Sequence, residues 1–259
     1  MHLRRADFHG ALGMRLWNFP VGPCAELRKL LRLRARIFEE WPMELPEIDL
    51  PLLERWLTGW SLSRGVPLPH KEDGGMRVEV GMPLQLRRYV FLDAGQALQA
   101  CADRIDAPHI YLKAPVDPDV LRAALPARWT VEVPGYLMQG PVSMSRQVEL
   151  PAGYVVNSSE EHGAKLVQVL HANGELAASG RVTLHEGTAV FDQIITSDLH
   201  RRLGLGTVVM QALDAFARQA NVTERLLVAT EEGRSLYIKL GWQLLAPWST
   251  AVLPAPALE

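Results

Sequence analysis

The chain has 259 residues, of which 48% are hydrophobic and 22% charged, the balance of an ordinary soluble globular protein with room for one large domain or two small ones. Its formal net charge of −2 gives no electrostatic case for nucleic acid or an anionic membrane as a partner. No stretch approaches the ~20 apolar residues of a membrane span, no apolar run of signal-peptide length follows Arg4 and Arg5, and Cys24 and Cys101 form no CxxC pair, so a reducing cytoplasm is the expected setting.

Residues 1–25 show no clear period. Residues 26–40, rich in Leu and Arg, predict a helix stopped near Pro42, and its basic residues read as a solvated face rather than a nucleic-acid contact. Pro42, Pro46 and Pro51 mark a connector, and residues 52–62 predict a second helix. Strands are expected at 76–80 and 88–92, a helix at 94–105 and a strand at 109–113. A helix at 117–125 follows, with Asp117 as N-cap and Pro118 in first position, and then a strand at 129–133. Further on, 144–150, 165–171 and 175–184 read as strands, and Asn173-Gly174 is a hairpin signal between the last two.

The stretch from Val190 to Trp242 carries the chemistry. Residues 190–196 are rich in β-branched residues and read as a strand, with period-2 alternation placing Asp192, Ile194 and Thr196 on one face. A basic and then glycine-punctuated turn follows, from Ser197 to Thr207. Beyond it Leu205, Val209, Leu213, Phe216 and Ala220 recur at helical spacing. Strand, glycine turn and helix in that order can make an anion site, because the first turn of a helix has unpaired N–H groups and a dipole that favours negative charge. Glycines allow close approach, and Arg201 and Arg202 add positive charge. A second strand at 226–230 leads to a short helix marked by Gly233, Leu236, Tyr237 and Leu240, which Gly241 can end in the left-handed conformation.

This ordered set, Arg201-x-x-Gly204-x-Gly206, helix, strand, then Tyr237-x-x-x-Gly241-Trp242, resembles the GNAT superfamily of acyl-CoA-dependent N-acetyltransferases. The resemblance is close from Val190 to Leu253, loose from about Met144 to Leu184, and absent before that. It implies an α/β fold, a GNAT-like mixed sheet with flanking helices, preceded by a smaller α/β region, with domains at 1–138 and 139–259. It implies acetyl-CoA as co-substrate, held by the backbone of Leu203, Gly204, Leu205, Gly206 and Thr207 with Arg201 or Arg202 assisting, and by Ile195, Thr196 and Thr230 alongside. Thr230 stands where many relatives have Asn, which puts its side-chain contact in question. In this reading Tyr237 protonates the departing thiolate, a step within reach of a phenol of pKa ~10. A buried tyrosine of the core is the alternative. Asp192 is the candidate general base, with a surface or strand-paired carboxylate as the alternative.

The expected activity is transfer of an acetyl group directly to a small-molecule or peptide amine, since no residue is an obvious acyl-carrying nucleophile. A non-catalytic acyl-CoA-binding or regulatory protein is the rival. His162, His171, His185 and His200 show no ligand spacing, so no metal is expected. Two departures from the family stand out. The stretch 151–164 is too short for the two helices that wall the acceptor site in relatives, so that wall has to come from elsewhere. The first half also echoes the second, with a strand, a short helix and then a segment starting near Trp129 or Trp242, although strand–helix–strand order arises by chance too. The first half has no Gly-x-Gly of its own, and it is expected to cover the open side of the cofactor cleft and to supply acceptor specificity.

Overall fold

The structure, a computed structural model, describes residues 48–144 and 147–255. The helix expected at 26–40, the connector prolines Pro42 and Pro46, and Cys24 lie outside the described residues. The first described helix is α1, Leu50–Arg64. Asp49 caps its start by accepting from the Leu52 N–H at 2.8 Å, and Gly65 closes it in the left-handed conformation, φ 63°. The strands β1, His70–Glu72, β2, Gly75–Met82, and β3, Gln85–Val90, form an antiparallel meander. Helix α2, Gln96–Arg104, crosses to β4, Ile110–Ala114, which pairs parallel to β3. Next come α3, Pro118–Ala124, and the short strands β5, Thr130–Val131, and β6, Gly135–Gln139. Asp117 caps α3 as the sequence implies, accepting from the Asp119 N–H.

The second half opens with the antiparallel strands β7, Tyr154–Glu161, β8, Ala164–His171, β9, Leu176–His185, and β10, Thr188–Thr196. Helix α4, Leu205–Gln219, leads to β11, Glu224–Ala229, parallel to β10, and α5, Glu231–Lys239, leads to the last strand, β12, Gln243–Val252. One expectation is corrected here. The segment at 144–150 is not a strand: its described residues are irregular, with Met144 and Val148 packed on the core that β8–β10 share with α4. The stretch at 151–164 is mostly the edge strand β7, whose side chains are nearly all exposed and which ends in Glu160 and Glu161, charges that discourage further pairing.

All twelve strands join one sheet in the order β1-β2-β3-β4-β12-β6-β11-β10-β9-β8-β7, with β5 beside β12. The two halves share it by exchanging strands. Strand β6, from the first half, lies between β11 and β12 of the second. The far end of β12 lies in turn between β4 and β5. Residues 130–139 and 243–252 thus run antiparallel along each other, Gln139 opposite Gln243 and Thr130 opposite Val252. The elements of the echo keep one offset along the chain: the helix caps Asp117 and Thr230 are 113 positions apart, and so are Trp129 and Trp242.

Three apolar clusters hold the sheet. One lies under α2 and α3, around Leu98, Leu121 and Trp129. One lies under α4 and α5, around Val209, Leu213, Tyr237 and Trp242. The third packs Leu53, Trp56, Leu57 and Trp60 of α1 on Met76 and Val90 from the first half and on Val190 and Leu226 from the second. Gly59 lets α1 approach closely, since a Cβ there would sit 2.4 Å from Val190 Cγ2, and the Thr183 hydroxyl donates to the Gly59 carbonyl at 2.9 Å.

Candidate active site

The parallel strands β10 and β11 pair only from Thr188–Val190 to Glu224–Leu226. Beyond that β10 runs on to Thr196 and β11 to Ala229 unpaired with each other, so a cleft opens between them. A β-bulge marks the start of the divergence: the register on β9 shifts between Asp192 and Ile195, and Gln193 takes φ 53°. The bulge corrects the expected alternation. Asp192 points to the α1 side, where Ser63 and Arg64 bond it, whereas Ile194 packs toward Val209 and Leu213 of α4. Thr196 likewise lies beside Gly206 at the start of α4, and Ile195 is exposed.

At the end of this cleft α4 begins without a side-chain cap. Gly204 occupies the N-cap at φ 80°, and the first helical bond runs from the Val208 N–H to the Gly204 carbonyl. The N–H groups of Leu205, Gly206 and Thr207 precede that bond, which is the arrangement that holds anions at helix starts. Gly206 has a packing reason as well, since a Cβ there would meet Leu236 Cδ2 at 3.0 Å. Leu203 is half exposed. Arg201 is largely exposed and pairs with Asp198 at 2.8 Å, and Arg202 is exposed with φ 65°. Neither arginine is fixed over the helix start, but both are within the same turn.

Thr230 caps α5, its hydroxyl accepting from the Gly233 N–H at 3.2 Å. Tyr237 is buried on that helix, its ring packed on Trp242, which in turn meets Phe191 edge-on at 5.3 Å. Burial, and then the charge of Asp192, push the Tyr237 phenol above its ordinary value. Both effects disfavour the phenolate, so Tyr237 keeps its proton at neutral pH.

A cavity of about 390 Å³ opens on the α1 side of the cleft. Phe191 and Asp192 of β10 and Val228 to Thr230 form one part of its lining, and α1 adds Trp56, Trp60 and Arg64. The first half contributes Arg88 of β3, Lys113 of β4 and the link from Val133 to Gly135, and β12 adds Trp248 and Thr250. On this side the cleft is walled by α1 together with β3 and β4, all from the first half. Asp192 is held firmly: its Oδ2 accepts from Ser63 Oγ at 2.8 Å and Arg64 Nε at 2.7 Å, and its Oδ1 from the second Arg64 nitrogen at 3.0 Å. Sequence reasoning missed Arg64, Arg88 and Lys113. Arg88 and Lys113 lie on predicted strands and Arg64 just past a predicted helix, but nothing in their spacing shows that three distant segments converge.

Among the described residues no group of three or more His, Cys, Asp or Glu is placed to hold a metal. No described helix is long and apolar enough to cross a membrane. The model of the acetyltransferase (GNAT) family matches residues 141–242, whereas no curated protein matches the chain in sequence. Among solved structures, a GCN5-related N-acetyltransferase from Kribbella flavida is similar over 79% of this chain and 96% of its own, with TM-score 0.55 and 15% identity. A tandem GNAT protein from the clavulanic acid biosynthesis pathway is similar over 90% of this chain and 96% of its own, with TM-score 0.50 and 16% identity. A GCN5-related N-acetyltransferase from Sphaerobacter thermophilus covers 72% of this chain and 78% of its own, with TM-score 0.50 and 10% identity. At these identities the structural neighbours speak for the fold, which extends the likeness beyond the matched segment. Residues 141–242 of this chain thus match the GNAT acetyltransferase family, and the wider fold is similar to that of its solved members.

Proposed function

We propose that the protein transfers an acetyl group from acetyl-CoA directly to an amine bound in the cavity, with the second half holding the co-substrate and the first half completing the acceptor site. The observation that carries this reading is the diverging β10–β11 pair, with an uncapped helix start at one end and a two-sided cavity at the other. Acetyl-CoA would supply the thioester carbonyl as electrophile. The N–H groups of Leu205, Gly206 and Thr207 would bind its pyrophosphate, with Arg201 or Arg202 screening charge, and the edge of β10 at Ile195 and Thr196 would line its path. The amine nitrogen forms the new C–N bond as the C–S bond breaks. Asp192 takes the proton the nitrogen loses, and Tyr237 donates its hydroxyl proton to the leaving sulfur.

The bidentate grip of Arg64 on Asp192 favours a second reading, a protein that binds acyl-CoA without turning it over, because both carboxylate oxygens are already engaged. Binding itself is tested by Gly204→Asp. An aspartate tolerates the left-handed backbone better than most residues, so the fold is retained while a carboxylate faces the pyrophosphate. Calorimetry is expected to show acetyl-CoA affinity reduced by at least about 10-fold, the scale of one repelled charge contact. Unchanged affinity in a variant with native circular dichroism refutes the assignment of the loop.

A further inference from the structure

Two of the cations in the cavity have no ion-pair partner among the described residues. Arg64 is neutralised by Asp192, and Glu231 is engaged by the Tyr136 hydroxyl and faces Arg234. Arg88 and Lys113, by contrast, form no ion pair with any described residue. Arg88 is 7% exposed, and its guanidinium lies 3.5 Å over the Trp60 ring. Its single hydrogen bond, at 3.2 Å, goes to the Gln85 amide oxygen, and its buried Nε has no partner. Lys113 Nζ donates to the Thr250 hydroxyl at 2.8 Å, which leaves further N–H groups toward the cavity that it lines. A buried guanidinium and a half-buried ammonium on adjacent strands, neither in an ion pair, are costly unless an anion completes them.

We propose that the acceptor is an aminocarboxylate, whose carboxylate is bound by Arg88 and Lys113 and whose apolar body lies against Trp56, Trp60 and Trp248. A guanidinium held over an indole ring keeps N–H groups free for a planar carboxylate. The cavity also contains Asp192, Glu231 and Glu232, which repel a dianion more strongly than a monoanion, so a carboxylate fits better than a phosphate. Burial, followed by the Arg64 charge, depresses Arg88 to about 9, in keeping with a cation that lacks its anion. With the carboxylate held on the first-half strands, the amine is left to reach toward Asp192 on β10. The proposal deepens the acetyl-transfer reading, but its test does not require turnover.

The test uses the full chain without acetyl-CoA and follows the intrinsic fluorescence of the cavity tryptophans. The probes are the standard α-amino acids, β-alanine and 4-aminobutyrate, each titrated beside its decarboxylated amine, with inorganic phosphate as a further arm. At least one acid is expected to bind saturably and about 10-fold or more tighter than its amine, the scale of a lost charge-assisted hydrogen bond. Arg88→Gln and Lys113→Met are each expected to bring that acid down to the level of its amine while leaving the amine's binding unchanged. No saturable binding by any acid, equal binding within every pair, tighter binding of phosphate, or a preference that survives both substitutions overturns the proposal. Retained acid selectivity with no thiol release in the presence of acetyl-CoA would instead overturn the acetyl-transfer reading and leave the carboxylate site standing.

Discussion

Arg88 and Lys113 enter the cavity from adjacent parallel strands, with Arg88 opposite Tyr111 and Lys113 opposite Val90. Burial, and then the positive charge of Arg88, push the Lys113 ammonium well below its usual value, with Arg64 adding to the effect and Glu132 opposing it. The sign of the consequence follows from linkage. The unfolded chain keeps the Lys113 proton up to pH ~10.4, while the folded chain releases it at lower pH. Between the two values the unfolded state holds more protons, so stability rises with pH there, and the penalty is present in full below the folded value. Lys113→Met removes the penalty along with the Thr250 bond. It is expected to raise Tm at pH 7, by roughly 2–4 °C for each kcal/mol relieved, and the advantage over the unsubstituted protein should shrink as pH approaches 10. Thermal unfolding across that range checks it, and an advantage that does not change with pH contradicts the account. Nothing in the sequence around Lys113 marked it, because its environment is made by residues from β3, β12 and α1. Gly204 and Tyr237 were legible because their signals are local: the turn needs a positive φ, and the helix that carries Tyr237 ends at a glycine with φ 90°.

Helix α1 is the element on which the acceptor side depends. It supplies three cavity residues and rests on β9 and β10 through Gly59, where no side chain fits without displacing Val190. Gly59→Ala is expected to destabilise the fold by roughly 1–3 kcal/mol, as overpacking does, with Val190→Ala recovering part of the loss in the double variant. Denaturant unfolding measures both, and a Gly59→Ala protein as stable as the original removes the close packing from the argument. The helix itself was legible at 52–62, and the structure extends it by a turn, capped by Asp49 and Gly65, so that Pro51, expected in the connector, lies in its first turn. Its docking place was not legible, since it packs on strands more than a hundred positions away. Strand β6 was missed for a different reason. Its core is the short apolar run Tyr136-Leu137-Met138 between Pro134 and Pro141, too brief to show a period, and the ladders on both sides that fix it come from β11 and β12.

Across the whole molecule the two halves are joined by exchanged strands, with a boundary at 138/139 falling inside β6. The exchange places β4 beside β12, with β3 next to β4, and thereby brings Arg88 and Lys113 to the same cavity as Asp192. The echo of strand, short helix and tryptophan was visible in the sequence, but the exchange was not, because pairing between distant strands leaves no local pattern. The account assigns chemistry to this shared site, and Tyr237 separates an enzyme from a binder. The most direct measurement is thiol release from acetyl-CoA, with the same panel of amines and aminocarboxylates, by the unsubstituted protein and by Tyr237→Phe. The account predicts turnover with an aminocarboxylate and a fall of about 100-fold or more in kcat for the phenylalanine variant, the scale of a lost general acid, with KM for acetyl-CoA nearly unchanged. Equal kcat in the two proteins, or no thiol release from either across the panel, would contradict it.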